Sequence, residues 1–179
     1  MKFSRLYFLI PILFLACKSP EVRKPVKVVS GSYINESVER NKQMVAEEEA
    51  FIKDIISKDT LNTYQISEKG FWYYYNTQVP DESETADFGD IVEYKYNIQD
   101  IYGTIIYTEE SIGIQTYHMD KQELMTGLRE GLKIMKEGET VTFVFPSYKA
   151  YGYYGDMNKI GSNTPIISKV TIINIEQIN

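Results

Sequence analysis

One segment decides what the second half of this chain can become. In DKQELMTGLREGLKIMKEG, residues 120–138, Leu124, Leu128, Leu132 and Met135 recur at i, i+4, i+8 and i+11, a single helical face. Asp120 and Glu123 are placed like a capping pair, and Gly138 marks the end. No other segment of this half has a helical period. DIVEYKYNIQ and GTIIYTEE, separated around Gly103, read as a strand pair, and SIGIQTYHM as a short strand. ETVTFVFP alternates, with Val141, Phe143 and Phe145 on one side, as a half-buried strand should. The closing PIISKVTIINIEQI is a β-branched run suited to a strand inside a sheet. One short helix wrapped by a curved antiparallel sheet is an α+β arrangement.

The first half is built differently. Lys2 and Arg5 precede the apolar run LYFLIPILFLA, which reads as a secretory signal over residues 1–16. The run is too short, and carries Pro11, for a membrane-spanning helix of about 20 residues. LFLAC resembles the lipobox of bacterial lipoproteins, with Phe14 where leucine is usual. That resemblance makes Cys17 the lipidated mature N-terminus and anchors the protein to a membrane; the alternative is an ordinary signal with an incidental cysteine. A lone cysteine forms no internal disulfide. Residues 17–34 read as a tether, and residues 35–60 as an amphipathic helix capped by Asn35. Val38, Val45, Ile52 and Ile56, joined by Met44, Phe51 and Ile55, form its stripe. The stripe either packs on the adjacent domain or makes a homodimer through residues 36–58. Residues 61–85 hold an aromatic strand, GFWYYYN, and an acidic loop leading into a domain over 86–179.

Composition removes most chemistries. A formal net charge of −6 argues against nucleic acid, which needs clustered Lys and Arg. His118 is the only histidine, and the chain has no G-x-S-x-G, H-E-x-x-H, cysteine pair or P-loop, so neither metal nor cofactor is expected. Glu109 and Glu110 read as solvated charge. FPSYKAYGYYGD, residues 145–156, sets four tyrosines within seven positions among glycines and reads as a loop presenting rings. A reaction that needs no metal, covalent intermediate or strong base is rotation about an X-Pro amide. Its barrier of roughly 18–20 kcal/mol reflects amide resonance, and charge separation falls as the bond twists. An apolar, ring-lined cavity therefore favours the twisted state, and that preference is catalysis.

LMTGLREGLKIMKEGETVTFVFPSYKAYG, residues 124–152, closely resembles the central signature of FKBP-type peptidyl-prolyl isomerases, and residues 89–110 match the family's first half more weakly. The resemblance covers about residues 86–178. It implies that Tyr96 and Tyr151 are the pocket tyrosines, and that Leu124 and Met125 are the apolar pair at the pocket edge, with Met125 supplying a backbone donor. Leu128 would be the floor, Ile106 and Tyr117 wall positions, and Ile160 the apolar residue of the loop. Tyr107 stands where the family usually carries an acid, and Gln115 and Ser168 replace aromatic wall positions. The loop 154–163 lacks the family's prolines, implying greater mobility. With its lipoprotein signal and N-terminal helix, the chain is similar to membrane-anchored members associated with bacterial gliding motility. That likeness implies an envelope location, on the outer membrane facing the periplasm, with proline-containing polypeptides as clients. Three functions remain open: an isomerase, a non-catalytic partner-binding module, and a general holdase using the 38–56 stripe. An isomerase confined to 86–179 would keep its activity on short peptides after removal of residues 36–58.

Overall fold

The computed structural model describes residues 30–80 and 83–178; the expected signal, Cys17 and most of the tether lie outside them. Among the described residues no helix is long and apolar enough to cross a membrane. A long helix, α1 (Ser30–Lys58), leads into eight strands: β1 (Gln65–Ser67), β2 (Phe71–Thr77), β3 (Ile91–Tyr96), β4 (Ile98–Asp100), β5 (Ile105–Tyr107), β6 (Gln115–His118), β7 (Thr140–Phe145) and β8 (Ile166–Glu176). They form one antiparallel sheet in the order β1-β2-β7-β8-β3-β6, with β4 pairing both β8 and β5. The long β8 is shared: β7 lies along one side, and β3 then β4 along the other. The expected α+β architecture is the observed one. The aromatic strand β2 is part of the sheet, pairing Trp72 with Val144 and Tyr73 with Phe143.

Three local expectations need correction. The long helix starts at Ser30 rather than Asn35. Between Ser30 and Asn35, Gly31 is the only strongly helix-disfavouring residue, and its cost of about 1 kcal/mol does not stop the helix. The helix expected over 120–138 is confined to α3 (Thr126–Leu132), and no side chain caps it. Asp120 does not pair with Glu123; it takes a φ of +59°, and its carboxylate meets Lys133 Nζ at 2.9 Å. A second helix also exists in this half, the single turn α2 (Glu109–Ile112), capped where the Ser111 N–H donates to Thr108 Oγ1 at 3.1 Å. One turn is too short to leave a periodic signature.

The strand β7 is buried on both sides, and each side packs against a helix. Val141, Phe143 and Phe145 face the main core with Leu128, Leu132 and Met135. On the opposite face Val144 joins Trp72, Ile101 and Ile52 of α1. From Val38 onward α1 belongs to the same compact unit as the sheet. Ile52 is fully buried, so this part of the stripe packs on the domain, whereas Val38, Met44 and Phe51 remain exposed.

α3 lies unusually close to β7 because two of its residues have no side chain. A Cβ at Gly127 would stand 2.5 Å from Phe145 Cδ1, and one at Gly131 would stand 3.0 Å from Phe143 Cζ. Phe143 and Phe145 stack at 5.2 Å with planes only 10° apart, presenting a flat wall to the helix. Gly127→Ala therefore drives a methyl group into an aromatic ring with no room behind it. The expected cost is about 1–3 kcal/mol, read as a lower urea midpoint; an unchanged midpoint would mean that α3 can retreat from the strand.

Candidate functional site

β3 places Tyr94 and Tyr96 on one face, because alternate residues of a strand point the same way. Their rings stack with centroids 5.6 Å apart. Tyr94 is buried and Tyr96 half-buried. The neighbouring β6 adds Tyr117, buried, with its hydroxyl donating to the Gln122 carbonyl at 3.2 Å. β5 brings Ile106 and Tyr107. Met125, with extended backbone at φ −54° and ψ 134°, turns the chain into α3 and leaves Leu124 and Met125 half-buried at the helix entrance, above the fully buried Leu128. Two short 3₁₀ turns, Ser147–Lys149 and Gly152–Tyr154, flank Tyr151.

All nine residues singled out from the sequence meet in one hydrophobic cluster. Tyr117, Leu128 and Ile160 are buried within it; Tyr96, Ile106, Tyr107, Leu124, Met125 and Tyr151 pack against it half-buried. Burial pushes the Tyr151 phenol well above its ordinary pKa, with Tyr96, Asp156 and Tyr107 adding to the effect. Burial raises Tyr96 likewise. Both hydroxyls thus stay protonated as donors far above neutral pH. Among the described residues neither has a hydrogen-bond partner, so both are open to a ligand. The two aromatic positions that the sequence replaces serve the backbone instead. Ser168 Oγ donates to the Asn97 carbonyl at 2.7 Å, and Gln115 Nε2 to the Ile112 carbonyl at 3.0 Å.

Sequence reasoning missed two residues here, Tyr94 and Asp156. Tyr94 lies two positions before Tyr96, so alternation alone could have found it. Asp156 had no such signal. The Tyr107 hydroxyl donates to its Oδ2 at 2.5 Å, bringing a carboxylate to the edge of the site from 49 residues further along the chain. Asn158 Nδ2 donates to the same hydroxyl at 3.0 Å, and the Lys159 ammonium lies 4.9 Å from the ring centroid. Asp156 Oδ1 accepts the N–H groups of Asn158 at 2.9 Å and Ile160 at 2.8 Å. The loop without prolines is therefore tied down by a carboxylate. Gly155 permits the tie: its φ is +67°, and a Cβ there would stand 2.1 Å from the Ile160 carbonyl oxygen.

Partial burial works against the charged form of Asp156, yet the Tyr107 hydroxyl and the Ile160 and Asn158 N–H groups hold its carboxyl below the usual range. A lowered folded-state pKa gives stability that is present above the unfolded value and lost as pH falls through the folded one. Asp156→Asn should thus be less stable than the parent near pH 7, with the gap narrower at about pH 3, below the ordinary carboxyl value at which the unfolded chain takes up its proton. Urea unfolding at the two pH values measures it, and a gap that does not narrow would assign the effect to geometry alone.

A curved antiparallel sheet on one short helix, with a tyrosine-rimmed apolar cluster at the helix entrance, defines the class of small α+β domain seen here. Residues 82–173 match the family described as FKBP-type peptidyl-prolyl cis-trans isomerase, and the chain belongs to that family. It is 31% identical over 127 residues to the probable FKBP-type peptidyl-prolyl cis-trans isomerase FkpA of Neisseria meningitidis serogroup B. That match covers 71% of this chain but only 44% of the relative, so the chain spans less than half of that protein's length. The fold is similar to the crystal structure of FkpA from Escherichia coli, with a TM-score of 0.59 at 21% identity over 82% of this chain and 68% of that one. It is also similar to a peptidyl-prolyl cis-trans isomerase from Pseudomonas syringae pv. tomato, with a TM-score of 0.60 at 23% identity over 76% of this chain and 96% of that one.

Proposed function

We propose that the protein is a peptidyl-prolyl cis-trans isomerase acting on proline-containing polypeptides at the cell envelope, to which a lipid on Cys17 anchors it. The observation that carries the reading is the Tyr151 hydroxyl: half-buried, protonated and without a partner among the described residues, at the edge of an apolar cluster. In this reading the prolyl ring seats over Leu128 and Ile160, between the Tyr96, Ile106, Tyr107 and Tyr151 side chains. The Tyr151 hydroxyl and the Met125 N–H hold the carbonyls of the bound peptide. No proton moves and no covalent bond forms. The planar amide is the more polar state and is better solvated by water than by rings, so excluding water raises it relative to the twisted state. Each reduction of about 1.4 kcal/mol in the barrier is a tenfold gain in rate.

The envelope location, the outer-membrane placement and a link to gliding machinery rest on the N-terminal sequence and its resemblance to lipoproteins. Self-association through the exposed Val38, Met44 and Phe51 belongs to the same proposal, and sedimentation reads it directly. A second reading, a binding module that holds a partner without turnover, is favoured by Tyr107 in place of the family acid.

Isomerisation of a short X-Pro peptide separates the two. Acceleration by the purified protein supports the enzyme, and no acceleration by a folded sample supports the module. Tyr151→Phe removes one neutral hydrogen bond, about 0.5–1.5 kcal/mol, and should lower kcat/KM about two- to twelvefold with the fold unchanged.

A further inference from the structure

The turn that carries Tyr151 starts at Ser147, two residues after β7 ends at Phe145, and α1 reaches it. Ser147 is 4% exposed. Its N–H donates to Glu48 Oε1 at 2.5 Å, and its hydroxyl donates to Oε2 of the same carboxylate at 2.7 Å. One position further along each segment, the Tyr148 hydroxyl donates to Glu49 Oε1 at 2.9 Å. One helical turn beyond Glu48, Ile52 is fully buried against Trp72, Ile101 and Val144. The carboxylate is thus presented from a docked stretch of helix rather than a loose one. On the other side of the same turn stands α3, where a Cβ at Gly127 would lie 2.9 Å from the Lys149 carbonyl oxygen. Residues 147–150 are held between two helices, and Tyr151 follows directly.

A carboxylate that accepts both the amide and the hydroxyl of one residue fixes its backbone and side chain together, with charge-assisted bonds about twice as strong as neutral ones. Both acids lie on α1, outside the residues that match the family. We infer that Glu48 is a positioning residue for the isomerase site: through Ser147 it sets the course of the 147–150 turn and hence the stance of the Tyr151 ring. The inference rests on Tyr151 belonging to that site. It also opposes the expectation that an isomerase confined to 86–179 would keep full activity on short peptides without residues 36–58. On a short peptide, a loss in kcat with KM unchanged reports positioning rather than lost binding surface on α1.

The test uses the purified protein and its Glu48→Gln and Ser147→Ala variants, with a short X-Pro peptide as substrate. Fluorescence of Trp72, the single tryptophan, shows whether α1 is still docked, because Trp72 packs with Ile52. With Trp72 emission unchanged, Glu48→Gln should lower kcat about three- to tenfold and leave KM nearly unchanged, the pattern of a small misplacement. The Tyr151 ring resonances, assigned by their loss in Tyr151→Phe, should shift in the same variant. Ser147→Ala should lower kcat as well, and adding Glu48→Gln to it should cost less than Glu48→Gln alone, since the two changes break one interaction. Unchanged kcat and unshifted Tyr151 resonances in a folded Glu48→Gln protein would overturn the inference. Should Glu48→Gln fail to fold, Ser147→Ala decides by the same two readouts. A parent protein without isomerase activity would sink the proposed function, while the resonance shift would still report whether Glu48 positions the ring.

Discussion

The close approach of α3 to β7 is the constraint from which the rest of the site follows. Gly127 and Gly131 let the helix lie against the Phe143 and Phe145 rings. That contact seats Leu128 and Leu132 in the core and brings the extended Met125 to the mouth of the cluster. Interiors packed near crystal density do not accommodate an added methyl group cheaply, so the spacing is fixed by the absence of two side chains. Tyr96 on β3, Ile106 and Tyr107 on β5 and Tyr151 after β7 then pack half-buried against the same core, together with Leu124 and Met125 at the helix entrance.

Two carboxylates hold the walls that the sheet cannot hold itself. Asp156 gathers the loop after Tyr151 onto Tyr107, and Glu48 fixes the turn before Tyr151 from α1. Both act over long sequence separations and both bond backbone amides, so they order chain that has no ladder partners. The Tyr151 ring is bracketed by them, while its hydroxyl is left open among the described residues.

Much of this was legible from residue pattern because the relevant periods are short. The alternation in 140–145 and the i, i+4 leucines pointed to the sheet and its helix, and the family resemblance over about 86–178 pointed to nine residues that the structure gathers into one cluster. What escaped the sequence is non-local. The true start of α3 is set by the extended backbone of Met125, and Asp120, placed by the sequence as a cap, instead meets Lys133 in an ion pair that no propensity encodes. The role of Asp156 depends on Tyr107, and that of Glu48 on Ser147, 99 residues away. The α1 stripe could be read as amphipathic, but which of its apolar residues would be covered could not; Ile52 is buried and Phe51 exposed, one position apart.

In the function proposed here, proline-containing chains are twisted beside Tyr96 and Tyr151. The most direct measurement is exchange NMR on a short X-Pro peptide in the presence of the protein, with intermolecular contacts read from the prolyl ring protons to tyrosine ring protons. The expected result is accelerated cis-trans exchange together with contacts from the prolyl ring to Tyr96 and Tyr151. Accelerated exchange with the prolyl ring in contact with the exposed face of α1 and with neither tyrosine would contradict it.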